Sequence, residues 1–344
     1  MRLITEDRLC ILNDISALEA YRDCALSLVR RRYALFSKMP VHHREIAADV
    51  GYLDRLREIE VKIISNATVI SDLAQYARRL YAVKDYEFRS ARPVSNSHVI
   101  ELMHQIVRDW SRDLETERRQ LFAPLLNSLQ NEFSLASRSF ARVLVPGSGL
   151  ARAAYEISLL GFQTKALEYS HLMDMAAQFM FDMNNNSRTN FELFPYVHDF
   201  SHQSTAQHQL RSVVLPDLPG PLKKPANLTL GYGDFTELMH TEPKSYDAIV
   251  TLYLIDTAEN ALQYLDAIRV LLKPGGIWIN YGPLKWGTAP QVEFTLEEIE
   301  MVVSKLNFTI EQKFSGVDEY NGDNLSLWQG LYKIRGWVAR KNYC

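Results

Sequence analysis

Cysteine is scarce in this chain, and the three that occur, Cys10, Cys24 and Cys344, are odd in number and far apart. That excludes a disulfide framework and a zinc-type cysteine pattern, and it fits a reducing, intracellular compartment. Long apolar runs are missing as well: the longest, in "AIVTLYLI", is too short to span a bilayer. The opening "MRLITEDRLCILND" breaks its apolar residues with acids, so no secretory signal is expected. Charge of one sign is not in excess. The net charge of −3 leaves no electrostatic footprint for nucleic acid or an anionic membrane. His42-His43 and the other scattered histidines lack the spacing of metal ligands. What remains is an ordinary globular composition, 47 % hydrophobic and 23 % charged over 344 residues, long enough for one large or two smaller domains.

Glycine is almost absent between about 14 and 135. There, charged residues sit among apolar ones at helical spacing. "ALEAYRDCALSLVRRRYALFS", "YLDRLREIEVKIISNATVISDLAQYARRLYAV" and "SHVIELMHQIVRDWSRDLETERRQLFAPLLNSLQNEF" all read as amphipathic helices. The "RRRY" run reads as a solvated helix face. Pro93 marks a break, after which Ser95 or Ser97 offers a helix cap. From about 139 the period changes. "ARVLVPG", "QTKALEYS", "NLTLGYGDF", "YDAIVTLYLID", "IWINYGP", "FTIEQKF" and "GWVARK" read as strands, alternating with helical patterns such as "LARAAYEISLLG" and "ALQYLDAIRVLL", with "KPGG" as a turn. The expected architecture is α/β: a helical region over 1–136 and an open, mostly parallel sheet covered by helices over 137–344. A polar stretch at about 184–227 reads as an insertion or lid.

The segment "LVPGSGLARAAYEISLLGF", residues 144–162, places Gly147 and Gly149 where a strand enters a helix. Open sheets bind ligands at such turns, although a plain tight turn has the same local sequence. A dinucleotide fingerprint needs a third small residue, and here that position is Arg152. Glu168 ends the second strand, 21 residues after Gly147, where a carboxylate accepts hydrogen bonds from a ribose diol. Asp234 and Phe235, in "GDF", end the third strand and are suited to an adenine amino group and ring. With "YDAIVTLYLID" and "LLKPGGIWIN" the set resembles class I S-adenosylmethionine (SAM) methyltransferases, a Rossmann-like fold.

The resemblance extends to one family. "QIVRDWS" at 105–111, the 144–162 segment, "PYVHDFS" at 195–201, "IDTAENALQYLDAI" at 255–268 and "LLKPGGIWINYGPL" at 271–284 closely resemble the carnosine N-methyltransferases over about 95–341. That resemblance implies an enzyme that uses SAM to methylate a ring nitrogen of the imidazole of carnosine, making anserine. It implies Gln105 and Arg108 as SAM contacts from the last helices of the helical region, with Arg108 toward the methionyl carboxylate. Gly147, Glu168, Asp234, Phe235 and a backbone contact at Leu252 complete the SAM set, with Gly149 beside them. Asp256 is implied as the imidazole-binding carboxylate and Tyr332 as a second acceptor-side residue. Tyr281 or Trp286 is a further candidate wall.

The acceptor side also departs from the family. Gly287 stands where a histidine follows "GPL", and Gly330 where a second tyrosine precedes Tyr332. A methyltransferase of the same scaffold acting on another small metabolite, at nitrogen or oxygen, is the alternative. Local readings compete too: Asp256 as a helix N-cap, Tyr332 as a core aromatic, and His198 or His202 as either structural or substrate-facing. A small-molecule or dipeptide acceptor is expected, with no nucleic acid, membrane or metal. The setting is cytosolic, with the nucleus open as a second compartment and a homodimer left open.

Overall fold

The computed structural model describes residues 5–90, 96–183, 190–218, 220–287, 289–319 and 323–343. Pro93, Ser95, Cys344 and parts of the 184–227 stretch (184–189 and 219) lie outside the described residues. The N-terminal part contributes helices α1 (Glu6–Ser37), α2 (Val41–Asp49), α3 (Tyr52–Leu80), α4 (Ser97–Trp110), α5 (Glu115–Glu132) and α6 (Leu135–Arg138). Then come β1 (Arg142–Pro146), α7 (Arg152–Leu159), β2 (Gln163–Glu168), α8 (His171–Asp182), β3 (Phe191–Leu193), α9 (Ala206–Leu210) and β4 (Val213–Leu215). The chain continues through β5 (Leu228–Tyr232), α10 (Leu238–Thr241), β6 (Tyr246–Leu252), α11 (Ala261–Leu271) and β7 (Leu272–Gly282). It finishes with α12 (Leu296–Lys305), β8 (Phe308–Glu319) and β9 (Leu331–Lys341). Among the described residues, no helix is long and apolar enough to cross a membrane.

Two compact units result. The first comprises Met1–Leu114, Gln178–Leu222 and Asn321–Gln329; the second comprises Glu115–Ala177, Lys223–Tyr320 and Gly330–Cys344. In the first, α1 packs along α3. Asn66 of α3 is fully buried and treats the backbone of Phe194 as a peptide partner. Its Nδ2 donates to Phe194 O at 2.9 Å, and its Oδ1 accepts from Phe194 N at 2.8 Å. The same Nδ2 donates to the Tyr21 hydroxyl at 3.2 Å, which is hydrogen-bonded to His198 Nε2 at 2.9 Å. Burial holds the His198 pKa down to about 3, so the ring stays neutral. The polar stretch after α8 is thereby fixed to the helices, as a two-stranded β3–β4 ribbon with α9 between its strands.

Asn66→Ala leaves the Phe194 N–H and C=O buried without partners. We expect a loss of about 3 kcal/mol of unfolding free energy, read by denaturant titration. A loss below about 1 kcal/mol would mean that water replaces the amide.

The second unit is built on a seven-stranded sheet in the order β5-β2-β1-β6-β7-β9-β8. Strands β1, β6 and β7 carry near-continuous apolar runs because both faces of the sheet are covered. Of the seven, β9 alone runs opposite to the other strands. Counted along the sheet's own strands, the order is 3-2-1-4-5-7-6 with the seventh reversed. This is the sheet of class I SAM-dependent methyltransferases, and it differs from the 3-2-1-4-5-6 order of dinucleotide folds. The direction of strand order reverses between β1 and β6, which places a ligand beyond their carboxyl ends. Trp278 meets Trp337 and Phe308 edge-on at 5.3 and 5.8 Å in the core. Helix α5 is clamped to the sheet where Arg340 bridges Glu132 and Glu311.

Three local expectations change. "KPGG" is not a turn before β7 but an irregular stretch within it: the β6 partners jump from Leu272 to Ile277, with Gly275 at φ 77°. The cap position of α4 belongs to Asn96, whose side chain makes no capping bond, and Ser97 is already helical. The N-cap of α11 is Asn260, whose side chain accepts from Leu262 N and Gln263 N. Asp256 lies four residues earlier, in a separate 3-10 turn over Ile255–Thr257, so capping is not its role.

Candidate active site

Gly147 has φ 60°, and a Cβ there would stand 2.6 Å from Leu254 Cδ1. Both the left-handed backbone and the packing of Leu254 therefore demand glycine. Gly149 is also left-handed, at φ 53°, but a Cβ built on it meets nothing within 4 Å. Open space lies over its backbone, as a ligand cradle requires. Arg152 begins α7 buried and ion-paired to Glu156 at 2.8 Å.

Glu168 faces this turn. Its Oε2 accepts from Gly149 N at 2.7 Å, and its Oε1 accepts from Tyr169 N at 3.0 Å and Ser170 N at 2.8 Å. Burial pushes its carboxyl above the ordinary value of 4.5, against the pull of those three N–H donors. An ionised carboxylate offers about four lone-pair sites, so capacity remains for a ribose hydroxyl. The arrangement fits the adenosine of SAM: a carboxylate oriented by backbone at the edge of a glycine cradle.

Asp234 follows β5 and Gly233. Its Oδ1 accepts from Thr236 N at 2.8 Å and opens a short 3-10 turn. Phe235 is buried, with its ring edge-on to Tyr264 at 4.9 Å, so the ring packs the core here. Tyr264 is a neighbour that the sequence did not single out. It lies half-buried on α11, with its hydroxyl bonded to Thr257 and in the field of Asp234, Tyr169 and Glu168. An aromatic at helical spacing gave no signal beyond core packing. Leu252 is the last residue of β6, paired with Tyr281 on β7.

Asp256 is 5 % exposed. Its Oδ2 accepts from Lys285 N at 2.9 Å, and its backbone oxygen accepts from Gly287 N at 3.1 Å. Burial raises its carboxyl above the ordinary 3.8, and the Lys285 amide opposes that rise. The carboxylate therefore already positions the "GPLKWG" loop over its own turn. Gly287 is exposed, and a Cβ there would find only Thr257 O, at 4.0 Å. Tyr332, on β9, is the register partner of Asp318 on β8. It lies three residues outside the Arg335–Gly282 pair, beyond the carboxyl end of β7. Tyr281 is core, edge-on to Phe314 at 5.1 Å, and not an open wall. Trp286 is half-buried and donates Nε1 to Phe294 O at 3.0 Å.

Gly147, Gly149, Glu168, Asp234, Phe235, Leu252, Asp256 and Tyr332 thus gather at one edge of one sheet, the carboxyl edge of β1, β2, β5, β6 and β7. Gln105 and Arg108 belong to the helical unit. They are three positions apart on α4 and share one face, both half-buried beside its apolar stripe. His198 and His202 also belong to that unit. His198 is consumed by the Tyr21–Asn66 network, and His202, at φ 61°, accepts Leu327 N at 2.8 Å. Among the described residues, no group of three or more His, Cys, Asp or Glu is placed to hold a metal ion.

The family model described as Carnosine N-methyltransferase matches residues 86–343. The chain is 31 % identical to the Carnosine N-methyltransferase of Schizosaccharomyces pombe over 97 % of this chain and 96 % of that one. It is 29 % identical to the Carnosine N-methyltransferase of Mus musculus over 95 % of this chain and 84 % of that one. A solved structure of magnesium protoporphyrin IX methyltransferase from Synechocystis is similar at a TM-score of 0.44 and 15 % identity, over 72 % of this chain and 96 % of that one. With a family match over three quarters of its length, the chain belongs to the carnosine N-methyltransferase family of SAM-dependent methyltransferases.

Proposed function

We propose that this chain transfers the methyl group of SAM to a ring nitrogen of the imidazole of carnosine, giving anserine. The observation that carries the reading is the near full-length likeness to relatives that bear that name. The buried Asp256, beyond the end of β6, supplies a fitting chemical group. SAM supplies an electrophilic sulfonium methyl. The chain's own task is alignment in a site from which water is excluded. Glu168 and the Gly147–Gly149 turn hold the ribose end. Asp234 and Phe235 serve the adenine end, and Leu252 contributes backbone. Gln105 and Arg108 are assigned to the methionyl end on the strength of the "QIVRDWS" segment.

Neutral imidazole is already a nucleophile, with a reference pKa of about 6.5. Asp256 accepts the distal ring N–H, which selects the tautomer and leaves the other nitrogen's lone pair free. As the methyl is transferred, positive charge appears on the ring, and the same carboxylate stabilises it. Tyr332 offers a phenol to the acceptor from the neighbouring antiparallel strand β9. The cysteine usage supports a cytosolic setting.

The test is direct. Purified chain incubated with SAM and carnosine should yield a product carrying one added methyl, localised to the imidazole by fragment-ion mass spectrometry. A preparation that binds SAM yet makes no such product rules the activity out. Methylation of a different small amine or alcohol in the same assay would point instead to a changed acceptor, consistent with Gly287 and Gly330.

A further inference from the structure

Tyr253 stands between Leu252 and Leu254, where β6 ends, and it adopts φ 54°. For a residue with a bulky side chain this left-handed backbone is strained, and such strain persists where the surroundings impose it. Two contacts impose it here. The Tyr253 amide donates to Tyr281 O at 3.0 Å, and its backbone passes 3.1 Å from where a Cβ on Gly282 would stand. The turn swings the phenol toward the edge of the sheet, where it donates to Asp318 Oδ2 at 2.5 Å.

Asp318 lies on β8, cross-strand from Tyr332 on β9. A half-buried carboxylate is therefore tied by one phenol to the end of β6 and paired in register with the acceptor-side tyrosine. Its charge reaches the buried Tyr281 hydroxyl, whose pKa is raised by burial first and Asp318 second. On the chain, Tyr253 lies between the backbone assigned to SAM at Leu252 and the carboxylate assigned to the imidazole at Asp256. A second anion tied by that phenol to the end of β6, and cross-strand from Tyr332, is placed for a second, positively charged group on the same acceptor.

We propose that Asp318, aimed by Tyr253, receives the primary ammonium group of a dipeptide acceptor, while Asp256 takes its imidazole. Two anionic anchors then read the two ends of one molecule. A charge-assisted hydrogen bond to an ammonium discriminates strongly against acceptors that lack it. The assignment rests on the imidazole methyltransferase reading above.

The experiment compares carnosine with the same dipeptide acetylated on its amine, using wild type, Asp318→Asn and Tyr253→Phe. Asparagine keeps an oxygen for the Tyr253 phenol, so the local fold should hold, with SAM affinity as the control. We expect Asp318→Asn to raise KM for carnosine about tenfold or more, with kcat within about threefold and KM for the acetylated dipeptide changed less than about twofold. Tyr253→Phe should raise KM for carnosine alone, by a smaller factor, and it carries the test if Asp318→Asn does not bind SAM. A carnosine KM unmoved in both variants, or raised equally for both acceptors, overturns this assignment and leaves the activity standing. A wild-type chain that does not methylate carnosine overturns both.

Discussion

Asp256→Asn should lower kcat for carnosine by about 10²–10³-fold while leaving SAM affinity within about twofold. Asparagine can still accept the Lys285 N–H, so the 285–287 loop should keep its place. What is lost is the negative charge that fixes the imidazole tautomer and stabilises the cationic product. The pH profile separates the groups. The acceptor imidazole must be neutral, so kcat/KM should fall as pH drops through about 6.5 in wild type and variant alike. Asp256 itself titrates from a raised pKa, but its ordinary value is 3.8, and only wild type should lose further turnover as that carboxylate protonates. Calorimetry with SAM and steady-state kinetics together decide the matter. Unchanged kcat in a correctly folded variant would reduce Asp256 to a loop tether.

Glu168→Ala should weaken SAM binding by about 10²-fold. The carboxylate contributes charge-assisted hydrogen bonds to the ribose, each worth about 1.5–3 kcal/mol. It also orients the Gly149 amide, which donates to Oε2 at 2.7 Å. Glu168→Gln separates the two effects. It keeps an acceptor for the Gly149 N–H and loses the charge, so its SAM affinity should fall between wild type and alanine. Isothermal titration of SAM into the three proteins reads the series. Equal affinities would show that Glu168 holds only the turn.

Much of the candidate site is legible in the sequence because its residues close a strand. The Gly147–Gly149 turn, Glu168 and Asp234 all follow apolar runs whose ends are marked in the sequence, and a parallel sheet brings such ends to one edge. Chain position thus became spatial position without knowledge of side-chain packing. The same logic failed for side chains whose partners lie far along the chain. Tyr281 looks like a site aromatic beside its motif, yet its ring is turned into the core against Phe314. Asp256 looks like a helix cap from "DTAEN", but the cap falls four residues later at Asn260, freeing the aspartate for the loop at 285–287. The 184–227 stretch gave no periodic signal, since Phe194 within it is fixed by Asn66, 128 residues earlier in the chain.

The sequence by itself determined the α/β class, the glycine turn, the acids at the ends of β2 and β5, and the family, because these depend on local period and spacing. Only the tertiary structure decided the remaining features. It reversed β9 beside β7, buried Asp256 under an amide from a distant loop, and placed Asp318 within reach of Tyr253, 65 residues away in the chain. Those are long-range pairings. They are set by which buried surfaces and polar groups find partners once the sheet has closed, and no short stretch of sequence contains both members of any pair.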